Sequence, residues 1–216
     1  MTPKTLLGIS VAAIFAIGII ASPIGVDAAG SFLDVKKAKV VIDDDDEFEK
    51  AKIKTNAKVL EVGAYGYGII SGAGLEAIAV TTTHGGVLDS EAQTDASDAS
   101  FHNHYVALQD SQDPNPEIGT GLCPGLEVRD ITWEEPGDVK IKGKKATMKD
   151  VPFSFSGTHS LSGDDISFNA DGNVGAVVSF TIAPVFNGAG GIDAVCINDV
   201  TPAEKLKVIT DDDDDD

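Results

Sequence analysis

The apolar positions of this chain fall in short runs, and most of the runs alternate with polar positions. The segment AVVSFTI at 176–182 shows the pattern: Val178, Phe180 and Ile182 take one side, and Val177, Ser179 and Thr181 take the other. A period of two is the signature of an extended strand, whose successive side chains point to opposite faces. Comparable runs, rich in Val, Ile, Thr and Phe, lie at 58–62, 65–71, 76–83, 104–109, 126–133, 139–141, 146–151, 154–156, 166–168 and 192–197. Turn residues separate them: Gly72-Ala73-Gly74, Gly85-Gly86, Pro136-Gly137-Asp138, Lys142-Gly143 and Ala170-Asp171-Gly172-Asn173. Gly143 predicts a hairpin over 139–148 with lysines on its outer face, and Asp171-Gly172 predicts a second hairpin turn. Helical spacing is scarce. Only 47–58 could support a helix, and its apolar spacing is poor. This many short strands at near-regular spacing predicts an all-β fold, a β-sandwich of immunoglobulin-like or jelly-roll-like topology.

The N-terminus changes the expected location. Lys4 is the only charge before Asp27, residues 6–21 are apolar or small without interruption, and Val26-Asp27-Ala28 supplies a small-residue exit. That is the three-part pattern of a secretory signal, with cleavage expected after Ala28. The rival reading is an uncleaved membrane anchor. Residues 6–21 as a helix reach only about 24 Å against a hydrocarbon core of about 30 Å, so an anchor must extend across Ser22 and Pro23. The expected division is a signal peptide at 1–28, a lead segment with an acidic run at 29–57, a β-sandwich domain at 58–210, and a disordered Asp tail at 211–216. The protein is expected to be secreted or held at the cell surface. It meets a membrane only if the N-terminal segment stays uncleaved.

Acids outnumber bases 35 to 16, for a net charge of −19. This balance excludes a nucleic-acid binder that works by neutralising phosphates. The runs DDDDEFE at 43–49 and DDDDDD at 211–216 hold 12 of the 35 acids, so the extreme charge is local. Like charges repel, and neither tract is expected to pack. Their carboxylates could collect Ca²⁺ weakly, but no EF-hand loop is present.

In an oxidising compartment the two cysteines, Cys123 and Cys196, are most simply one disulfide. The bridge would contribute roughly 4 kcal/mol in the chain-entropy account. Of the four histidines, His102 and His104 are the informative pair. On a strand, i and i+2 lie on one side about 6–7 Å apart, close enough for two imidazoles to share a Cu or Zn ion. His84, at the end of TTTHGG, is the candidate third ligand, whereas His159 lies in the turn SGTHSLSG. The competing reading is that these are exposed loop-edge histidines. Catalytic patterns are absent: there is no G-x-S-x-G, P-loop or H-E-x-x-H. Glu134 and Glu135 are adjacent, so a strand would send them to opposite faces, and they more simply begin the turn at Pro136.

The stretch VLEVGAYGYG at 59–68 resembles the first motif of S-adenosylmethionine-dependent methyltransferases. Its glycines run G-x-x-G-x-G, however, and another strand pattern follows in place of a helix. The alternative is a glycine-rich strand pair with Tyr65 and Tyr67 on one face. Over about 84–199, the segments FHNHYVAL, CPGLEVRDITWEEPGDVKIKGK, VVSFTIAPVF and AVCIND resemble a group of exported proteins of ammonia-oxidising archaea to which no activity is assigned. The resemblance implies export and paired cysteines. The leading expectation is a non-enzymatic structural or binding module at the cell surface or outside the cell, partnered by a cell-envelope protein or by itself, with no cofactor assigned to it. One alternative is an extracytoplasmic Cu- or Zn-binding protein using His102, His104 and His84. Another is a surface-filament subunit whose segment 32–42 adds as a strand to a neighbour's sheet.

Overall fold

A computed structural model describes residues 32–85 and 99–210. The expected signal peptide and the Asp tail lie outside the described residues. Thirteen strands are described: β1 (Val35–Ile42), β2 (Glu47–Thr55), β3 (Ala64–Ile70), β4 (Ile78–His84), β5 (His102–Asp110), β6 (Leu126–Ile131), β7 (Asp138–Lys142), β8 (Lys145–Pro152), β9 (Ser154–Thr158), β10 (Asp165–Asn169), β11 (Ala176–Phe186), β12 (Ile192–Pro202) and β13 (Leu206–Thr210). The fold is all-β with sandwich-like layers, as expected. One layer is a five-stranded sheet in the order β13-β1-β2-β8-β7, and a two-stranded ribbon, β9-β10, accompanies it. The other layer closes on itself as a six-stranded barrel, β11-β12-β6-β5-β4-β3, with every pairing antiparallel.

Closure gives the chain two cores, and the period-two alternation sorts residues between them. Tyr65, Tyr67 and Ile69 of β3, Ala79 of β4 and Tyr105 and Ala107 of β5 pack outward against Val40, Phe48, Ile53 and Met148 of the five-stranded sheet. Ile78 and Val80 of β4, Val106 and Leu108 of β5, and Val178 and Phe180 of β11 point into the barrel. With both faces covered, β4 and β5 are buried along nearly their whole length. The inner face of β3 carries glycine because Phe180 lies across it. A Cβ at Gly66 would stand 2.6 Å from the Thr81 carbonyl oxygen and 2.8 Å from the Phe180 ring. The glycines of 63–68 therefore serve close packing on a strand, with Tyr65 and Tyr67 together on the opposite face.

The lead segment is part of the fold. β1 pairs β2 on one side and β13, in parallel, on the other. β2 occupies most of the 47–58 stretch considered for a helix. The acidic run corrects the expectation that it would stay unpacked. Asp43–Asp46 make the turn between β1 and β2, with the Asp45 amide on the Asp43 carboxylate and Asp46 in the left-handed region at φ 58°. Aspartate suits such a turn because its side chain bonds nearby backbone and tolerates that conformation. Phe48, inside the run, is buried and packs edge-on against Phe153 at 4.8 Å. Two further expectations differ. Residues 58–62 form a loop, in which the Tyr65 hydroxyl bonds both the amide and the carbonyl of Leu60. The turn at Asp171-Gly172 is not a hairpin but a crossing from the ribbon to the barrel, since β10 pairs β9 and β11 pairs β3 and β12. It is pinned where the Gly72 amide donates to Asp171 at 2.9 Å. The hairpin at Gly143 forms as predicted.

Cys123 and Cys196 are disulfide-bonded, with Cα atoms 5.4 Å apart. Cys196 lies on β12, and Cys123 lies in the long loop between β5 and β6. The bridge holds that loop to the barrel wall, and Gln112 donates to the Cys123 carbonyl.

Candidate metal centre

Three histidines converge at one end of the β4–β5 ladder. The register pairs Val80 with His104 and Thr82 with His102, and His84 follows Thr82 on the same face. Strand alternation therefore brings all three imidazoles to the barrel side. One ligand nitrogen from each lies within 4.8 Å of the other two, and the His84 and His102 Nε2 atoms are 3.0 Å apart. The rings of His102 and His104 stand nearly perpendicular at 4.7 Å, as do those of His84 and His102. Two nitrogens bound tetrahedrally at about 2.0–2.1 Å are separated by about 3.4 Å. The observed spacings lie on either side of that value. Among the described residues these three histidines are the group of His, Cys, Asp or Glu side chains that converges in this way.

Backbone carbonyls set the tautomers. The Nδ1 of His104 lies 2.7 Å from the Thr132 carbonyl oxygen, and that of His102 lies 3.0 Å from the Ser100 carbonyl. A carbonyl only accepts, so each Nδ1 carries the proton and each Nε2 keeps its lone pair. This is the outer-sphere arrangement that orients metal-ligating histidines elsewhere. His104 is 3 % exposed, and its Nε2 has no hydrogen-bond partner. Leaving such an atom buried costs on the order of 1–3 kcal/mol. Burial, reinforced by the neighbouring His102 and His84, pushes the His104 pKa down to about 3. The ring is thus neutral, the form that binds metal.

The loop-edge alternative does not describe His102 and His104, which are buried within β5. His159 lies at a loop edge, but its side chain is only 12 % exposed. That residue sits in its turn, where Nδ1 accepts from the Leu161 and Ser162 amides and Nε2 faces the Arg129 carbonyl. Glu134 accepts from the Thr158 amide and hydroxyl, which holds its carboxyl below the usual range. No free cysteine is present, so a thiolate ligand is not available at the centre.

The histidines open onto the barrel interior. His84 and His104 line a cavity of about 210 Å³ with Val80, Val106, Val178 and Phe180, and among the described residues no Asp, Glu, Lys or Arg lines it. Thr82 faces the same space, and its hydroxyl is buried without a hydrogen-bond partner. Sequence reasoning missed Thr82, although its place two residues before His84 puts it on the same strand face. The chain matches no protein-family model, no curated protein and no solved structure.

Proposed function

We propose that this is an exported metal-binding protein that holds one Cu²⁺ or Zn²⁺ ion on His84, His102 and His104. The observation that carries the reading is the buried, neutral His104, whose Nε2 lone pair has no protein partner and stands beside two further imidazoles. A divalent ion supplies the missing partner and recovers the cost of burying it. Imidazole ligands suit both Zn and Cu, and Cu²⁺ binds the more tightly of the two in a given nitrogen site. Three protein ligands leave a fourth position open. The bridged cysteines leave no thiolate for a blue-copper centre.

Protein purified without chelators, assayed by elemental analysis, tests the reading together with calorimetry using Cu²⁺ and Zn²⁺. About one ion per chain is expected. His104→Ala and His102→Ala should lose most of the affinity, and His159→Ala should lose little. Equal, weak binding by wild type and His104→Ala would reduce the metal to diffuse attraction by the Asp tracts and overturn the proposal.

A further inference from the structure

An ion at this centre meets a particular electrostatic difficulty. Three neutral imidazoles leave a divalent ion with its full charge, and among the described residues the lining of the adjoining cavity contains no charged side chain. Burying that charge in an apolar lining is costly unless an anion accompanies it. The cavity has room for more than a bare anion. An apolar cavity of about 150 Å³ holds benzene, so about 210 Å³ suits a somewhat larger hydrocarbon group of roughly six to ten carbons. Several lining residues also reach solvent: Leu75, Leu161, Phe186 and Val200 are each about 39–53 % exposed. They give a hydrocarbon an apolar way in.

Thr82 supplies the last observation. It pairs directly with His102 across the ladder, it lines the cavity, and its hydroxyl has no hydrogen-bond partner. A buried hydroxyl beside the three histidines is placed to donate to a ligand's head group.

We infer that the barrel receives an amphiphilic monocarboxylate. One carboxylate oxygen completes the coordination of the ion held by His84, His102 and His104. The other accepts from the Thr82 hydroxyl, and the hydrocarbon part fills the space between Val80, Val178 and Phe180. The inference rests on the metal-binding reading and names the ligand class of that same centre.

Octanoate is the probe, with octan-1-ol as the control that lacks a carboxylate. Both are followed by calorimetry and by fluorescence of Trp133, the single tryptophan, which lines the cavity. Zinc is titrated first and alone. Octanoate is expected to bind zinc-loaded protein at least about tenfold more tightly than chelated protein, a difference of about 1.4 kcal/mol. Octan-1-ol should show no zinc dependence. Thr82→Val should weaken octanoate about tenfold, in the range of a hydrogen bond to a charged group, and leave zinc affinity unchanged. Val178→Phe should exclude octanoate while zinc still binds. If Val178→Phe does not fold, the comparison of loaded and chelated wild type decides alone. Zinc binding with octanoate affinity indifferent to zinc overturns this inference and leaves the metal reading standing. Failure of both zinc and copper to bind overturns both.

Discussion

The imidazole of His104 donates from Nδ1 to the carbonyl oxygen of Thr132 at 2.7 Å, and the Thr132 hydroxyl accepts from the Tyr105 amide at 3.1 Å. Thr132 therefore grips both the ring and the backbone beside it, just past the last residue of β6. The grip fixes which nitrogen of His104 carries the proton. It turns the other, bare nitrogen toward His84 and His102.

The buried ring makes stability depend on pH in a window set by its own shift. His104 stays neutral in the fold down to about 3, whereas in the unfolded chain it takes up a proton near 6.5. A depressed folded pKa contributes stability that is full above 6.5 and is lost as pH falls toward 3. Glu76 and Glu134 are also held low, by Arg129 and by Thr158, but their contributions disappear only below about 4.5. Between pH 7.5 and 4.5, metal-free wild type should lose about 2–3 kcal/mol from His104, read from urea midpoints. His104→Leu should flatten that slope. An equal slope in the two proteins would mean that the ring is not buried neutral.

The bridge between Cys123 and Cys196 should stabilise the barrel by roughly 4 kcal/mol, through the loop of 73 residue steps that it closes. Thiol labelling of denatured, unreduced protein should find no free cysteine. The Cys123→Ser/Cys196→Ser double variant should melt well below wild type, with the loop that carries Cys123 becoming sensitive to proteases first. Two labels per chain would contradict the bridge.

Much of this was legible in the sequence, and the exceptions have physical causes. Strands such as β11 and β8 carry clean alternation and turn residues at their ends. β1 does not, because a bulge between Val35 and Lys37 shifts its register and breaks the period. β2 is masked by the acids and lysines threaded through it, and its buried residues Phe48, Ala51 and Ile53 break the alternation between 48 and 51. The barrel is hidden because closure buries both faces of β4 and β5, and a strand apolar on both faces does not say which residues look into which core. The His102-x-His104 spacing and the partner His84 were readable because strand alternation is local. The cavity they open onto is a property of closure, and no short segment encodes it.

Gly66 should be among the least replaceable positions of the barrel. An added methyl would meet the Thr81 carbonyl, which belongs to the paired strand and cannot swing away, as well as the Phe180 ring. Gly66→Ala should destabilise by about 1–3 kcal/mol, the usual cost of overpacking. The double variant Gly66→Ala/Phe180→Leu should recover only the part due to the ring. Full recovery would mean that the backbone contact is slack. Wild-type stability in the single variant would mean that β3 and β4 do not pair as described.

The lead segment supplies the last prediction. β1 stands between β2 and β13, and Val35, Ala38, Val40 and Ile42 are all buried in the core shared with the barrel. The Tyr67 hydroxyl donates to the Phe32 carbonyl, and Ser179 reaches the Leu33 carbonyl, so the barrel itself holds the start of the segment. A chain beginning at Asp43 would leave both partners unmade, expose the face of β2 and strip β13 of its neighbour. It should fail to give a cooperative melt. The peptide spanning 32–42, added in trans, should restore one, because the missing strand is the piece that it replaces. Such rescue would also show that a strand from another molecule can fill the slot, the exchange that a filament of these subunits requires. A truncated chain with wild-type stability would place β1 outside the cooperative fold and contradict its burial.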